Sequence, residues 1–232
     1  MARYTTAYSS FVERLGEVER LRMFASSKEK QDPVKYRLDI SALCRGAVIL
    51  LSGHLEAYIK ELGELAIDSL YQKSVPREKL CARFFYHISK DCIDEIKDTS
   101  DPNSLGEKVF NFLSNDLQFW SRSGSFPISV PADRFNKGFS NPAFKKIKSY
   151  FNRFGYSDYQ NDLASKLGPD FQPIINMIEH LVETRNKIAH GDPSATKTPL
   201  EIKDMISMVK RYCAETDGVF ANWWRQKFCA IR

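Results

Sequence analysis

Apolar residues recur at steps of three and four from Leu43 to Leu70, and no stretch of the chain shows a convincing alternation. Leu43, Ala47, Leu50-Leu51, Leu55, Tyr58-Ile59, Leu62, Leu65-Ala66 and Leu70 fall on one side of a 3.6-residue turn, which predicts one long helix over about 36–71. The same step predicts helices over about 5–25, 77–96 and 104–120. Asp32-Pro33, Pro76 and Asp101-Pro102 punctuate them. Residues 121–140 carry two prolines and a Gly and read as a loop insertion, long enough to be functional or mobile. Asn141-Pro142 reads as the cap and first turn of a helix ending at Gly155. Tyr159–Leu167 follows, then a helix from a cap at Asp170 to Ala189, closed by Gly191 and Pro193. A last helix covers about 199–230. The expectation is an all-α fold in a single domain over 1–232.

A chain of 232 residues buries enough surface to fold without disulfides or metal. Hydrophobic residues are 43% and charged residues 27%, which excludes disordered and fibrous classes. No contiguous apolar run approaches the roughly 18 residues of a spanning helix, so no membrane partner is expected. The N-terminus lacks a signal-peptide apolar core, and five cysteines without a Cys-x-x-Cys pair point to reduced thiols. Both predict a cytoplasmic location.

The net charge of +5 is uneven. Residues 1–120 hold 17 Lys/Arg and 18 Asp/Glu, leaving 17 and 11 for residues 121–232. The surplus gathers in Arg134, Lys137, Lys145, Lys146, Lys148 and Arg153, with no acid between Asp133 and Asp158. Interleaved rings, among them Phe144, Phe151 and Phe154, suit a single-stranded polyanion such as RNA. Equally, Phe144, Ile147, Phe151 and Phe154 are spaced 3, 4 and 3, the pattern of an amphipathic helix turned to a core. Lys145, Lys146, Lys148 and Arg153 are the candidate RNA contacts, together with Lys187 beside the site described next.

In the 170–189 helix the apolar step from Ile178 through Leu181 lands on Arg185. An unpaired buried guanidinium is costly, so Arg185 must meet an anion, a partner subunit or water. His190 lies at the helix C-terminus, where the macrodipole favours a cation, and Asn186 lies four residues before it. Random order at this composition would give Arg-Asn with His at the fifth position about 0.01 times per chain.

The word Arg185-Asn186-Lys187-Ile188-Ala189-His190-Gly191 resembles the Arg-x(4–6)-His signature of the HEPN superfamily. Leu50-Leu51-Ser52-Gly53-His54-Leu55-Glu56-Ala57-Tyr58, Phe139-Ser140-Asn141-Pro142 and Phe151-Asn152-Arg153-Phe154-Gly155 are similar to its RiboL-PSP-like branch. The resemblance covers about 36–191. It implies a HEPN-like helical bundle, here with an added N-terminal helix and a long C-terminal helix, and a metal-independent ribonuclease without cofactor. It also implies roles: Arg185 on the scissile phosphate, His190 in proton transfer, Asn186 orienting His190 or the phosphate, and Glu56 bracing Arg185. A composite site across a homodimer is implied too, with a toxin or anti-phage defence role and an antitoxin or companion protein. One departure is Asp192, which stands where the nucleotidylated toxins of the branch carry Tyr.

Other chemistry is weakly supported. His180, Glu183 and His190 lack a metal-site framework, and no nucleophile elbow or phosphate-cradling glycine loop is present. His54 and His87 read as packing residues, and Trp223-Trp224 as a docked terminal helix rather than a base-stacking platform. The alternative function is a non-catalytic RNA-binding or adaptor module, or an interaction protein whose Arg185 helix forms a dimer seam.

Overall fold

A computed structural model describes residues 4–232, and among them there are helices and no strand. The helices are α1 (Thr6–Gln31), α2 (Arg37–Gln72), α3 (Ala82–Ile88), α4 (Lys90–Lys97), α5 (Pro102–Asn115), α6 (Ala132–Asn136), α7 (Phe144–Arg153), α8 (Tyr159–Leu167), α9 (Phe171–Ala189) and α10 (Pro199–Lys227). Short 3-10 turns lie at Arg77–Lys79, Leu117–Phe119 and Gly168–Asp170.

The long apolar helix read from the sequence is α2, and the bundle is built round it. Cys44, Ala47, Leu51, Leu55, Ile59, Leu62, Ala66 and Leu70 are wholly buried. α1 returns antiparallel beside it, as the pairs Lys28–Asp39 and Arg14–Glu61 require. α10 runs parallel: Tyr58 donates to the Cys213 carbonyl and Trp224 to Ser69 Oγ, both across an offset of 155 residues. α9 is antiparallel to α10, with Asp170 at its start paired to Arg211 at 2.7 Å. The C-terminus of α9 therefore lies beside the N-terminal half of α2, where Arg45 Nη1 donates to the Asp192 carbonyl at 2.7 Å.

Averaged over an 18-residue window, α2 reaches a mean hydropathy of 1.4, so by length and composition alone it could cross a membrane. The expectation of no such stretch holds only for contiguous apolar runs. In the fold its apolar side chains pack against α1, α9 and α10.

Several boundaries differ from the expected ones for identifiable reasons. The expected 77–96 helix is a 3-10 turn, α3 and α4, broken at Ser89, which is buried and accepts the Trp120 indole N–H at 3.0 Å. Asn141 does not cap α7: its φ of 60° is left-handed, and α7 starts at Phe144. The Phe144 N–H is instead satisfied by Glu179 Oε1 of α9 at 2.9 Å. Asp170 has helical dihedrals and makes no capping bond. α5 has no buried residue: on the face that the helical step turns inward, Val109, Leu113 and, in the following turn, Leu117 are exposed, and Leu105 and Phe112 are only half-buried. The 121–140 segment holds α6 and is anchored by buried Phe126, Val130 and Phe135. The Arg77 guanidinium clamps its start through the Gln118 and Ser123 carbonyls.

The N-terminus of α1 is tied into this core. Thr5 caps α1, and its N–H and hydroxyl both donate to the buried Asp217 carboxylate of α10. Burial pushes the Asp217 carboxyl above its ordinary value, and the Thr5 bonds pull it back down. Thr5→Ala is expected to cost about 0.5–2 kcal/mol in urea denaturation. A raised folded pKa adds stability below the unfolded value and loses it as pH rises through the folded value. Removing a donor to the charged form raises that pKa further. The Thr5→Ala deficit is therefore expected to be larger at about pH 7 than at about pH 4.

Candidate functional site

α9 presents its last turn at the open end of the bundle. Its buried stripe is Ile174, Ile175, Ile178, Leu181, Val182, Thr184 and Ile188. Thr184, not Arg185, takes the core position in the last turns; Arg185 is half-buried at the edge of the stripe. The expectation of a guanidinium inside the core is corrected by one position, because the stripe drifts round the helix. Arg185 still has no carboxylate partner among the described residues. Its Nη1 donates to Asn186 Oδ1 at 3.1 Å.

Residues five apart sit about 140° apart round an ideal helix, so Arg185 and His190 do not share a face by periodicity alone. Asn186 and His190, four apart, do. The Arg185–Asn186 bond brings the guanidinium round towards that face. The Asn186 side chain thus braces Arg185 rather than the imidazole. His190 is the C-cap of α9, exposed, with its backbone N–H on the Asn186 carbonyl at 3.0 Å. Gly191 follows at φ 79°, a left-handed conformation that reverses the chain.

The loop behind His190 is held from two sides. Asp192 Oδ1 accepts the Ser194 N–H at 2.8 Å and its hydroxyl at 2.7 Å, and these bonds lower the Asp192 carboxyl below its ordinary value. Arg45 of α2 clamps the same loop through the Asp192 carbonyl. Sequence reasoning missed Arg45. Its only signal was a cation on the flank of a long apolar helix, with its partner 147 residues away.

Glu56 does not brace Arg185. One oxygen accepts Lys60 Nζ at 2.7 Å and the other the Asn141 N–H at 2.9 Å. It fixes the left-handed turn that leads into α7, so its role is positional. Glu179, which caps α7, stands six residues before Arg185, about 9 Å along the helix. This ties the basic helix to the α9 site.

The candidate RNA contacts separate into exposed and engaged groups. Lys145 is exposed without an ion pair among the described residues. Lys146 and Lys148 are exposed and donate only to neutral oxygens, the Ser140 carbonyl and Gln160 Oε1. Lys187 is exposed but paired with Glu183 at 2.7 Å. Arg153 is not on the open basic face: it is half-buried and donates to the Phe135 and Lys137 carbonyls. The interleaved rings belong to the core, since Phe151, Phe154, Tyr150 and Ile147 are buried. Trp224 is buried and Trp223 stacks on Tyr156 at 4.4 Å. No base can stack on the buried rings without unfolding α7.

Other titratable groups lie elsewhere. Burial holds the His54 imidazole below its ordinary value despite Glu17 nearby. Burial, then Arg153, Lys90 and Arg83, hold His87 down to about 4. The five cysteines are free, and among the described residues no group of three His, Cys, Asp or Glu side chains is placed to hold a metal.

No curated protein and no solved structure matches the chain. The model of one family, RiboL-PSP-HEPN, matches residues 11–222. That span takes in most of α1 and α10, so it is wider than the 36–191 over which motifs alone carry the resemblance. It also contains the whole Arg185–His190 turn. With this match and an all-helical bundle ending on that motif, the chain belongs to the RiboL-PSP-HEPN family, within the HEPN superfamily.

Proposed function

We propose that the protein is a metal-independent endoribonuclease that cleaves RNA by transesterification. The observation that carries this reading is a half-buried Arg185 without a carboxylate partner among the described residues, hydrogen-bonded to Asn186, with an exposed His190 at the same helix end. In the reaction the 2′-oxygen attacks phosphorus and loses its proton while the bond to the 5′-oxygen breaks and that oxygen gains a proton. The products are a 2′,3′-cyclic phosphate and a 5′-hydroxyl. Arg185 compensates the charge on the phosphoryl oxygens, and His190 moves a proton at the 2′- or 5′-oxygen.

One α9 end offers one imidazole, whereas the reaction moves two protons. A second copy facing the same turn supplies a second imidazole, which supports a homodimer with a composite site. The protein then acts in the cytoplasm as a toxin or defence effector, with a companion antitoxin protein restraining it. The test is incubation of the protein with RNA in excess chelator. Cyclic-phosphate ends support the reading. RNA that binds but is never cut would establish the non-catalytic RNA-binding module instead.

The exposed lysines of α7 set the second expectation. Lys145→Gln and Lys148→Gln are each expected to weaken RNA binding across sequences. Each should lower the slope of log affinity against log salt by about 0.7–1. An unchanged slope in fluorescence anisotropy would remove α7 from the RNA path.

A further inference from the structure

Arg153 ends α7 without a carboxylate partner among the described residues. Its guanidinium is half-buried, donates to the carbonyls of Phe135 and Lys137, and lies 5.3 Å from the Tyr150 ring centroid. Burial pulls it below its ordinary value. A cation held in this way lacks the counter-charge that its desolvation calls for.

It is not alone there. Arg153, Lys137, Arg134, Lys90, His87 and Asp91 line a cavity of about 250 Å³ between α7, α6 and the α3–α4 junction. Four of these side chains are cations and one is a carboxylate. Three nearby acids are engaged, Asp91 with Lys137 at 2.7 Å, Asp94 with Lys90 at 2.9 Å and Asp116 with Arg134 at 2.8 Å, which leaves Arg153 as the lining cation without a carboxylate among the described residues. His87 packs on Phe135 at 6.0 Å between centroids, and burial first, then Arg153, Lys90 and Arg83, keeps the imidazole neutral at neutral pH. It can therefore donate a hydrogen bond without adding charge. The volume is just below the roughly 300–1,000 Å³ of pockets for drug-sized ligands, which suits a phosphate and part of its carrier.

The cavity is far from the α9 turn. Asn136, at the end of α6, bonds Glu64 of α2, whereas the loop after His190 is held by Arg45. The 19 helical steps from Arg45 to Glu64 rise about 28 Å.

We propose that this cavity is a phosphomonoester-binding site, with Arg153, Lys137 and Lys90 facing the dianion and His87 donating to it. The ligand is either the 5′-phosphate end of an RNA or a free mononucleotide, which share that chemistry. The proposal does not depend on cleavage at Arg185 and His190, and its readout is separate.

The experiment follows the three remaining histidines by NMR pH titration, using the His190→Ala chain so that RNA stays intact. Inorganic phosphate is expected to raise the His87 midpoint by about one unit or more, as a nearby opposite charge does, and to leave His54 unmoved. Arg153→Met risks misfolding because it removes two carbonyl bonds, so the surface variants Lys90→Gln and Lys137→Gln decide. Each should weaken phosphate binding roughly tenfold, the scale of one charge-assisted hydrogen bond. A mononucleotide 5′-phosphate and a 5′-phosphorylated tetranucleotide then distinguish the sources. Movement of His87 by the first alone assigns a free nucleotide; movement by the tetranucleotide assigns the RNA end. A His87 midpoint indifferent to phosphate, affinities unchanged in both Lys variants, or equal binding of a 5′-hydroxyl tetranucleotide would each overturn the site.

Discussion

His190→Ala is expected to lower RNA cleavage by about two to four orders of magnitude, the usual contribution of positioned proton transfer. Arg185→Ala is expected to lower it by about two to three orders, the scale of losing one preorganised donor to a developing oxyanion. Stability should hardly change in His190→Ala, because the side chain is exposed and surface substitutions usually stay within about 0.5 kcal/mol. Unaltered circular dichroism and thermal midpoint beside lost cleavage would therefore separate chemistry from folding. Asn186→Ala should fall between wild type and Arg185→Ala, since Asn186 acts by bracing the guanidinium at 3.1 Å. The double variant should be no worse than Arg185→Ala, because residues that act as a unit are not additive. Mixing Arg185→Ala with His190→Ala protein adds a test of the composite site: partial recovery of cleavage is expected if each subunit supplies what the other lacks. Single variants that cut RNA as fast as wild type would show that the α9 turn is not the active site.

Gly63→Ala is expected to be the most damaging conservative change in the core. An alanine Cβ would lie 2.0 Å from Tyr150 Oη and 2.8 Å from its Cζ. Tyr150 cannot step aside: it is fully buried, and its hydroxyl bonds Asn136, which in turn bonds Glu64 at 2.7 Å. Alanine is the better helix former by roughly 0.5–1 kcal/mol. Overpacking costs about 1–3 kcal/mol, occasionally more, so the clash outweighs the gain. Each kcal/mol lost should lower Tm by roughly 2–4 °C in a chain of this size. Gly16→Ala in α1 is the control, since a Cβ there meets nothing within 4 Å; it should raise Tm slightly. A Gly63→Ala chain at least as stable as wild type would mean that α7 does not seat against α2 in this way.

The candidate site was legible where it is local. Arg185, Asn186 and His190 lie within six residues of one helix, and a short word was enough to single them out. The basic stretch was legible as a charge surplus but not as a surface. Lys145, Lys146 and Lys148 stay exposed on α7, while Arg153, in the same run, turns inward to the Phe135 carbonyl. Glu56 failed for a related reason: its partner, the Asn141 N–H, is 85 residues away, and no periodicity reports such a pairing. The long apolar pattern of α5 misled because amphipathicity marks a face without saying whether anything covers it.

The sequence by itself determined the helices, their all-α class and the motif at the end of α9, because the 3.6-residue period and the signature word act between near neighbours. Tertiary structure alone decided which cations face solvent, that Glu56 holds the Asn141 N–H rather than Arg185, and that Arg45 holds the loop behind His190. It alone brought Arg153, Lys137, Lys90 and His87 round one cavity. Burial and charge compensation depend on groups far apart in the chain, and only packing brings those groups within the few ångströms over which they act.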